Sequence, residues 1–298
     1  MKILLIGCNG QIGWELNRTL QSLGEIEALD YPAIDLALPD NIREQVRRIQ
    51  PQLIVNAAAY TAVDKAEEEP ELAMAINGMA PGILAEEARR IKAALVHYST
   101  DYVFDGSRSE PYTEDDTPNP VSTYGRSKWR GEKAVREVGP PHLVLRTSWV
   151  YGSRGKNFML TMLRLAREKE EIRIVDDQIG SPTWCRLVAE ATAQILAQGI
   201  RDWPGFLSEK GGLYHLCAGG RTSWFHFAEA ILRLDPDRAG QKVKRLLPIS
   251  TAEYPTPARR PAYSLLSCEA LYQTFGLRLP DWDLSLPLLG SGIESLIF

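Results

Sequence analysis

Tyr124-Gly125-Arg126-Ser127-Lys128 sets a phenol and an ammonium four residues apart. On a helix, positions i and i+4 share a face, so both side chains would enter one cleft. A free phenol has a pKa of about 10. A cation beside it favours the phenolate and makes the group a usable proton donor near neutrality. YxxxK alone is too common to carry an assignment, but two other features precede it. Gly7-Cys8-Asn9-Gly10-Gln11-Ile12-Gly13 has GxxGxxG spacing. Gly7 would make a tight turn, Gly10 would let the backbone approach a pyrophosphate, and Gly13 would allow close helix–sheet packing. The helix opening at Gln11 and Ile12 would offer free N–H groups and a positive dipole end to phosphate. Thr100, in His97–Phe104, supplies a hydroxyl that can orient a substrate carbonyl.

These groups need a scaffold that brings them together. Lys2–Ile6, Glu27–Asp30, Leu53–Ala57, Ala94–Ser99 and Leu143–Arg146 read as strands. Helical patterns at Ile12–Leu23, Ile42–Ile49 and Pro70–Ile91 alternate with them, the last with a soft spot at Gly78–Gly82. Strands that are apolar throughout imply a sheet covered on both faces, and the alternation implies parallel βαβ units. The expected fold is α/β, a Rossmann-like doubly wound parallel sheet. The glycine loop then lies directly between the first strand and the first helix, the context that gives such a loop meaning. Asp30 ends the second strand, where a carboxylate can accept from an adenosine ribose; the plain alternative is an exposed strand-end acid. Asp35 and Leu36 follow closely and would flank the adenine. Ala57-Ala58-Ala59 would let a cofactor lie against backbone.

The second half is less regular. Asn157–Lys169, Leu187–Ala197 and Ser223–Leu234 read as helices and Leu213–Leu216 as a strand; prolines at 248, 255, 257 and 261 break the rest into loops. Residues 1–156 are expected to form the NAD(P)-binding domain, with 185–234 rejoining it. Residues 157–184 and 235–298 are expected to form a smaller substrate lobe.

Bulk properties narrow the partners. The chain has 298 residues, 44% hydrophobic and 24% charged, with a net charge of -4. That composition is globular and lacks the basic field of a nucleic-acid binder, so a small molecule is the expected partner. Cys8, Cys185, Cys217 and Cys268 are scattered with no CxxC pair, which argues against a metal cluster or disulfide scaffold. No run approaches a membrane span and no signal peptide is visible, so a cytoplasmic location with no membrane contact is expected.

Glycine loop, strand-end threonine and YxxxK occur in the order and spacing of the short-chain dehydrogenases. Beyond that, Gly10–Leu16 (GQIGWEL), Val55–Lys65 (VNAAAYTAVDK), His97–Phe104 (HYSTDYVF), Arg146–Gly152 (RTSWVYG), Asp177–Thr183 (DQIGSPT) and Tyr254–Pro261 (YPTPARRP) resemble the dTDP-4-dehydrorhamnose reductase family over nearly the whole chain. The resemblance implies reduction of the 4-keto group of dTDP-4-dehydrorhamnose, the last step of dTDP-rhamnose biosynthesis. It implies that Gly10, Gln11 and Ile12 meet the cofactor pyrophosphate and that Asp30, Asp35 and Leu36 surround the adenosine. Ala59, Tyr60, Thr61 and Tyr98 would line the cofactor cleft. Thr100, Asp101 and Trp149 would meet the sugar nucleotide, with Tyr124 as proton donor and Lys128 on the nicotinamide ribose. NADPH or NADH would serve: Asp30 repels a 2′-phosphate and Tyr31-Pro32 offers no cation for one, while the family resemblance brings in NADPH. Some relatives are magnesium-bridged dimers that use glutamates. Glu15 fits that role, but another of the positions reads Arg186, which counts against a metal here; a homodimer stays open.

Other residues admit two readings. Trp149 is either a platform for the deoxysugar or a core indole. Arg259 and Arg260 suit a diphosphate through their fork, or are simply solvated; Arg260 is taken as a substrate contact. His97 is expected to be packed, and Glu67-Glu68-Glu69 to be a solvated helix-start run. A sugar-nucleotide epimerase or dehydratase on the same fold, and a non-catalytic regulatory subunit that keeps it, are the competing functions. The intact Thr100, Tyr124 and Lys128 oppose the last. A 4,6-dehydratase has an Asp-Glu pair after the strand-end threonine, where this chain has Asp101-Tyr102.

Overall fold

The computed structural model of the chain describes residues 1–293. The first half runs β1 (Lys2–Ile6), α1 (Gln11–Thr19), β2 (Glu25–Leu29), α2 (Pro39–Ile49), β3 (Leu53–Asn56), α3 (Pro70–Met74), α4 (Ala80–Ile91), β4 (Ala94–Thr100), α5 (Thr123–Val138) and β5 (His142–Thr147). The second half adds β6 (Val150–Tyr151), α6 (Phe158–Glu168), β7 (Glu171–Val175), β8 (Ile179–Gly180), β9 (Thr183–Trp184), α7 (Cys185–Gln198), α8 (Trp203–Lys210), β10 (Gly212–His215), β11 (Thr222–Ser223), α9 (Trp224–Arg233), β12 (Arg245–Ile249), α10 (Glu269–Phe275) and α11 (Trp282–Ile293).

Six parallel strands form the main sheet in the order β10-β5-β4-β3-β1-β2. Both faces are covered, and the pleat shows it. Ile3 and Leu5 pack under α1 and α7, whereas Leu4 and Ile6 pack under α2 and α4. The order of winding reverses between β1 and β3, so the crevice outside their carboxyl ends is where such a sheet takes a ligand.

The helix read over Pro70–Ile91, with its soft spot at Gly78–Gly82, is interrupted at that point. A π turn at Ala75–Met79 separates α3 from α4. Pro81 has no N–H to give to the Asn77 carbonyl, and the Asn77 side chain instead bonds the backbone of Tyr60, accepting from its N–H and donating to its carbonyl at 2.9 Å each.

A second core lies beside the sheet. It joins Met159 and Met162 of α6, Ile172 and Ile174 of β7, Phe227 and Ile231 of α9, and Leu286 of α11. Strands β7 and β12 pair in parallel beneath it. Strand β10 lies in the main sheet next to β5. Helix α9, which the sequence reading returned to the sheet with β10, packs in the second core: its Phe225, Phe227, Ala228 and Ile231 face α6 rather than the sheet. Among the described residues, no helix is long and apolar enough to cross a membrane.

Candidate active site

The carboxyl ends of β1, β3, β4 and β5 open into a cavity of about 630 Å³. Its wall begins at the glycine turn. Gly7 has φ +86, and a Cβ there would lie 2.5 Å from the Ala58 nitrogen. A Cβ on Gly13 would lie 1.9 Å from the Gly7 carbonyl oxygen. The turn thus brings α1 against the strand ends with no room for side chains. No side chain caps α1 at Gly10, so its first N–H groups are left for a ligand. Asp30 closes the turn from below, accepting from the N–H groups of Asn9 and Tyr31 at 2.8 Å each. Ser99 Oγ and Thr147 Oγ1 are buried in the cavity wall without a hydrogen-bond partner. A bare helix start, a strand-end carboxylate and unpartnered hydroxyls around one cavity are the features a dinucleotide and a polar substrate require.

Helix α5 carries the YxxxK pair. Ser122 caps it by accepting from Gly125 N–H at 3.1 Å. Glu67 adds a second cap, accepting from Thr123 N–H at 2.7 Å and from its hydroxyl at 2.5 Å. The acidic run is therefore not merely solvated: Glu67 seats the turn that holds Tyr124, and Glu69 accepts from the Tyr60 hydroxyl at 2.7 Å. One turn beyond Lys128, Glu132 makes a buried two-pronged pair with Arg146 at 2.7 and 2.9 Å, tying α5 to β5.

Tyr124 and Lys128 face the same cavity, but not each other's charge. The Lys128 ammonium is buried and donates to the Tyr98 carbonyl at 2.6 Å. Burial brings it down to about 8, offset in part by Glu132. The Tyr124 phenol is pushed up to about 12 by burial; a hydrogen bond with Thr100 works the other way and Asp101 adds to the rise. The expectation that Lys128 lowers the Tyr124 pKa is corrected here: desolvation raises it, and the ammonium donates to a backbone carbonyl. Thr100 in turn donates to Asp101 at 3.0 Å. Burial pushes Asp101 up to about 7, with Ser264 and Thr100 offsetting part of the rise.

Of the residues singled out from sequence, Gly7, Gly10, Gln11, Ile12, Asp30, Ala57, Ala58, Ala59, Thr61, Tyr98, Thr100, Asp101, Tyr124, Lys128 and Trp149 line this one cavity. The others lie elsewhere. Gly13 packs behind the turn. Asp35 caps its own loop, accepting from Ala37 N–H at 2.9 Å, and Leu36 is buried in the core under α2. Tyr60 points to Glu69. Arg260 is held by Asp64 at 2.7 Å, and Arg259 is exposed. His97 is buried beside Asn56 at 3.2 Å, and burial takes its pKa well down, so it is neutral. Glu15 is engaged by Arg18 at 3.0 Å and Arg186 at 3.5 Å.

The wall also holds residues that sequence reasoning passed over, including Lys156, Phe158 and Trp224. Trp224 stacks on Trp149, with centroids 3.5 Å apart and planes 4° apart. Trp149 takes the unusual φ of 44. Gly180 comes so close that a Cβ there would lie 2.4 Å from the indole. Trp149 is thus one half of an aromatic wall, with one face covered by Trp224. The one local signal of this wall was Trp224 itself, at the start of an apolar helix.

Glycine turn, strand-end threonine and a tyrosine–lysine helix around one cavity of a doubly wound sheet define an oxidoreductase of the short-chain dehydrogenase class. More narrowly, the chain belongs to the dTDP-4-dehydrorhamnose reductase family: residues 1–291 match the family model described as RmlD substrate binding domain. The dTDP-4-dehydrorhamnose reductase of Burkholderia thailandensis is 50% identical over 287 residues, 95% of each chain. The Bacillus anthracis reductase, solved in complex with NADP, superposes with a TM-score of 0.86 at 36% identity, covering 98% of this chain and 99% of the other. A reductase from Clostridium acetobutylicum gives a TM-score of 0.88 at 36% identity, covering both chains in full.

Proposed function

We propose that the protein reduces the 4-keto group of dTDP-4-dehydro-β-L-rhamnose to give dTDP-β-L-rhamnose, drawing on NADPH or NADH. One observation carries the reading: Thr100, Tyr124 and Lys128 line the same cavity that the glycine turn opens. The bound cofactor supplies a hydride to C4 of the sugar. The Gly7–Gly13 turn and the start of α1 hold its pyrophosphate, Asp30 its adenosine ribose and Lys128 its nicotinamide ribose. Tyr124, held protonated at neutral pH, gives its proton to the O4 oxygen. Thr100 orients that oxygen. Asp101, hydrogen-bonded to Thr100, is an acid from which the phenolate recovers a proton. The wall of Trp149, Trp224 and Phe158 takes the sugar-nucleotide side. On this reading, residues 1–156 and 185–216 bind the cofactor, and 157–184 with 224–293 form the substrate lobe.

The test is stoichiometry. One NAD(P)H is expected to be oxidised per dTDP-4-dehydrorhamnose reduced, with no partner protein added. Conversion of dTDP-glucose to its 4-keto-6-deoxy product without added reductant would make this a dehydratase and end the proposal.

A further inference from the structure

Cys217 and Cys268 are 51 positions apart in the chain, yet their sulfurs lie 3.5 Å from each other. Both are free thiols, Cys217 buried and Cys268 half-buried. The Cys217 N–H points at the Cys268 sulfur at 3.4 Å, and that sulfur is 3.6 Å from the Cys217 carbonyl oxygen. Backbone bonds hold the two segments in place without help from the sulfurs. Leu216 N–H donates to the Arg146 carbonyl at 2.8 Å and Ala218 N–H to Thr183 Oγ1 at 3.1 Å, which ties the chain on both sides of Cys217. Ser267 N–H donates to the Tyr112 carbonyl at 2.7 Å. His215 Nδ1 donates to the Ser267 carbonyl at 3.1 Å and joins the two segments directly. The sulfurs are thus kept in contact, one short step from the bond distance of about 2 Å.

Between the two cysteines the chain leaves the sheet edge at β10, builds α9 and β12 of the second lobe, and returns to α10, whose Leu271 and Phe275 pack in the core of the main sheet. The pair sits at the neck of this excursion. Neither cysteine lines the catalytic cavity. When Cys268 is the thiolate, the Cys217 thiol and N–H donate to it and hold it below the usual thiol range; the same hydrogen bond, with burial, pushes Cys217 up. The less buried thiol is therefore also the better nucleophile.

We propose that Cys217 and Cys268 form a reversible redox site, which a low-molecular-weight disulfide converts to an intramolecular disulfide that ties the neck of the second lobe. The Cys268 thiolate attacks one sulfur of the small disulfide and expels the other as a thiolate. Cys217 gives up its proton, attacks the Cys268 sulfur and expels the second small thiolate. Two protein thiols are oxidised, one small disulfide is reduced to two thiols, and the protons leave with them. A reducing dithiol runs the exchange backwards.

The test treats the reduced full-length protein with oxidised glutathione. The intact mass is expected to fall by two hydrogens, a non-reducing digest should join the Cys217 and Cys268 peptides, and dithiothreitol should reverse both. Tm should rise by about 5 °C on oxidation, because the bond closes a long loop in the unfolded chain. Cys217→Ser lacks the second thiol and should stop at a glutathione adduct on Cys268; Cys217→Ala carries this arm if the serine variant does not fold. Cys268→Ser should acquire neither bond nor adduct at Cys217. No bond, a bond to Cys8, to Cys185 or to a second chain, or a bond that leaves Tm unmoved overturns the proposal. None of these readouts uses the keto sugar, so the redox site stands or falls apart from the reductase reading.

Discussion

The ammonium of Lys128 lies 2.6 Å from the carbonyl oxygen of Tyr98, to which it donates. The same β4 carbonyl that anchors the lysine sits two residues before Thr100, so strand, lysine and threonine are fixed as one unit. Lys128 holds its charge only below about 8. The contribution proposed for it, a cation beside the cofactor ribose, should fade above that pH. The expected outcome is a fall in kcat/KM on the alkaline side near pH 8, measured as NAD(P)H oxidation across a buffer series. A limb that begins only at about 10, the range of an unperturbed lysine, would take that charge out of the reaction.

Tyr124→Phe keeps the ring and removes the proton. NAD(P)H binding, followed by fluorescence, should be unchanged, while turnover falls about 10²–10⁴-fold. Turnover within a factor of about two of the parent would eliminate Tyr124 as the acid.

Asp30 both faces the cavity and braces the glycine turn through Asn9. Asp30→Ala removes a charge that repels a 2′-phosphate. The kcat/KM ratio of NADPH to NADH should rise about tenfold, about 1.4 kcal/mol. A parent enzyme wholly inactive with NADH would show that Asp30 does not hold the ribose.

The folded state raises Asp101 from an ordinary carboxylate value to about 7 by burial. A raised carboxyl favours the folded state while it stays protonated. Its stabilisation is therefore full at low pH and is lost as pH climbs from the unfolded value, about 4, through 7. Asp101→Asn cannot ionise and should escape this loss. Denaturant midpoints compared at pH 4 and pH 8 should shift in favour of the variant by up to about 4 kcal/mol. Parallel pH curves for the two proteins would mean that Asp101 is not held protonated by its surroundings.

What the sequence made legible was local. β1, the glycines and α1 follow one another without interruption, and YxxxK carries its own helical spacing. Thr100 closes an apolar run, so its place at a strand end could be read directly. The side-chain pairs that fix the surrounding loops are long-range. Glu67 and Thr123 lie 56 positions apart and Asp64 and Arg260 lie 196 apart, and no periodicity links either pair. Glu67 read as a surface acid and Arg260 as a phosphate ligand because each type commonly serves so when alone. Asp35 and Leu36 were placed by their nearness to Asp30, but the turn that follows β2 directs one to a cap and the other to the core. The Tyr124 pKa was misjudged for another reason: proximity in sequence counted the lysine, and only the fold reveals how much water the phenol gives up.

Strand β10 pairs with β5 in the main sheet, although β7, earlier in the chain, pairs with β12, later in it. The two cores are thus threaded alternately by one chain. No single cut separates them: a truncation after α7 would remove β10 and leave β5 as a bare sheet edge, open to pairing with other chains. A swap of a terminal module at one cut therefore takes part of one core and leaves part of the other. A change of either core by exchange of chain segments has to carry strands of both.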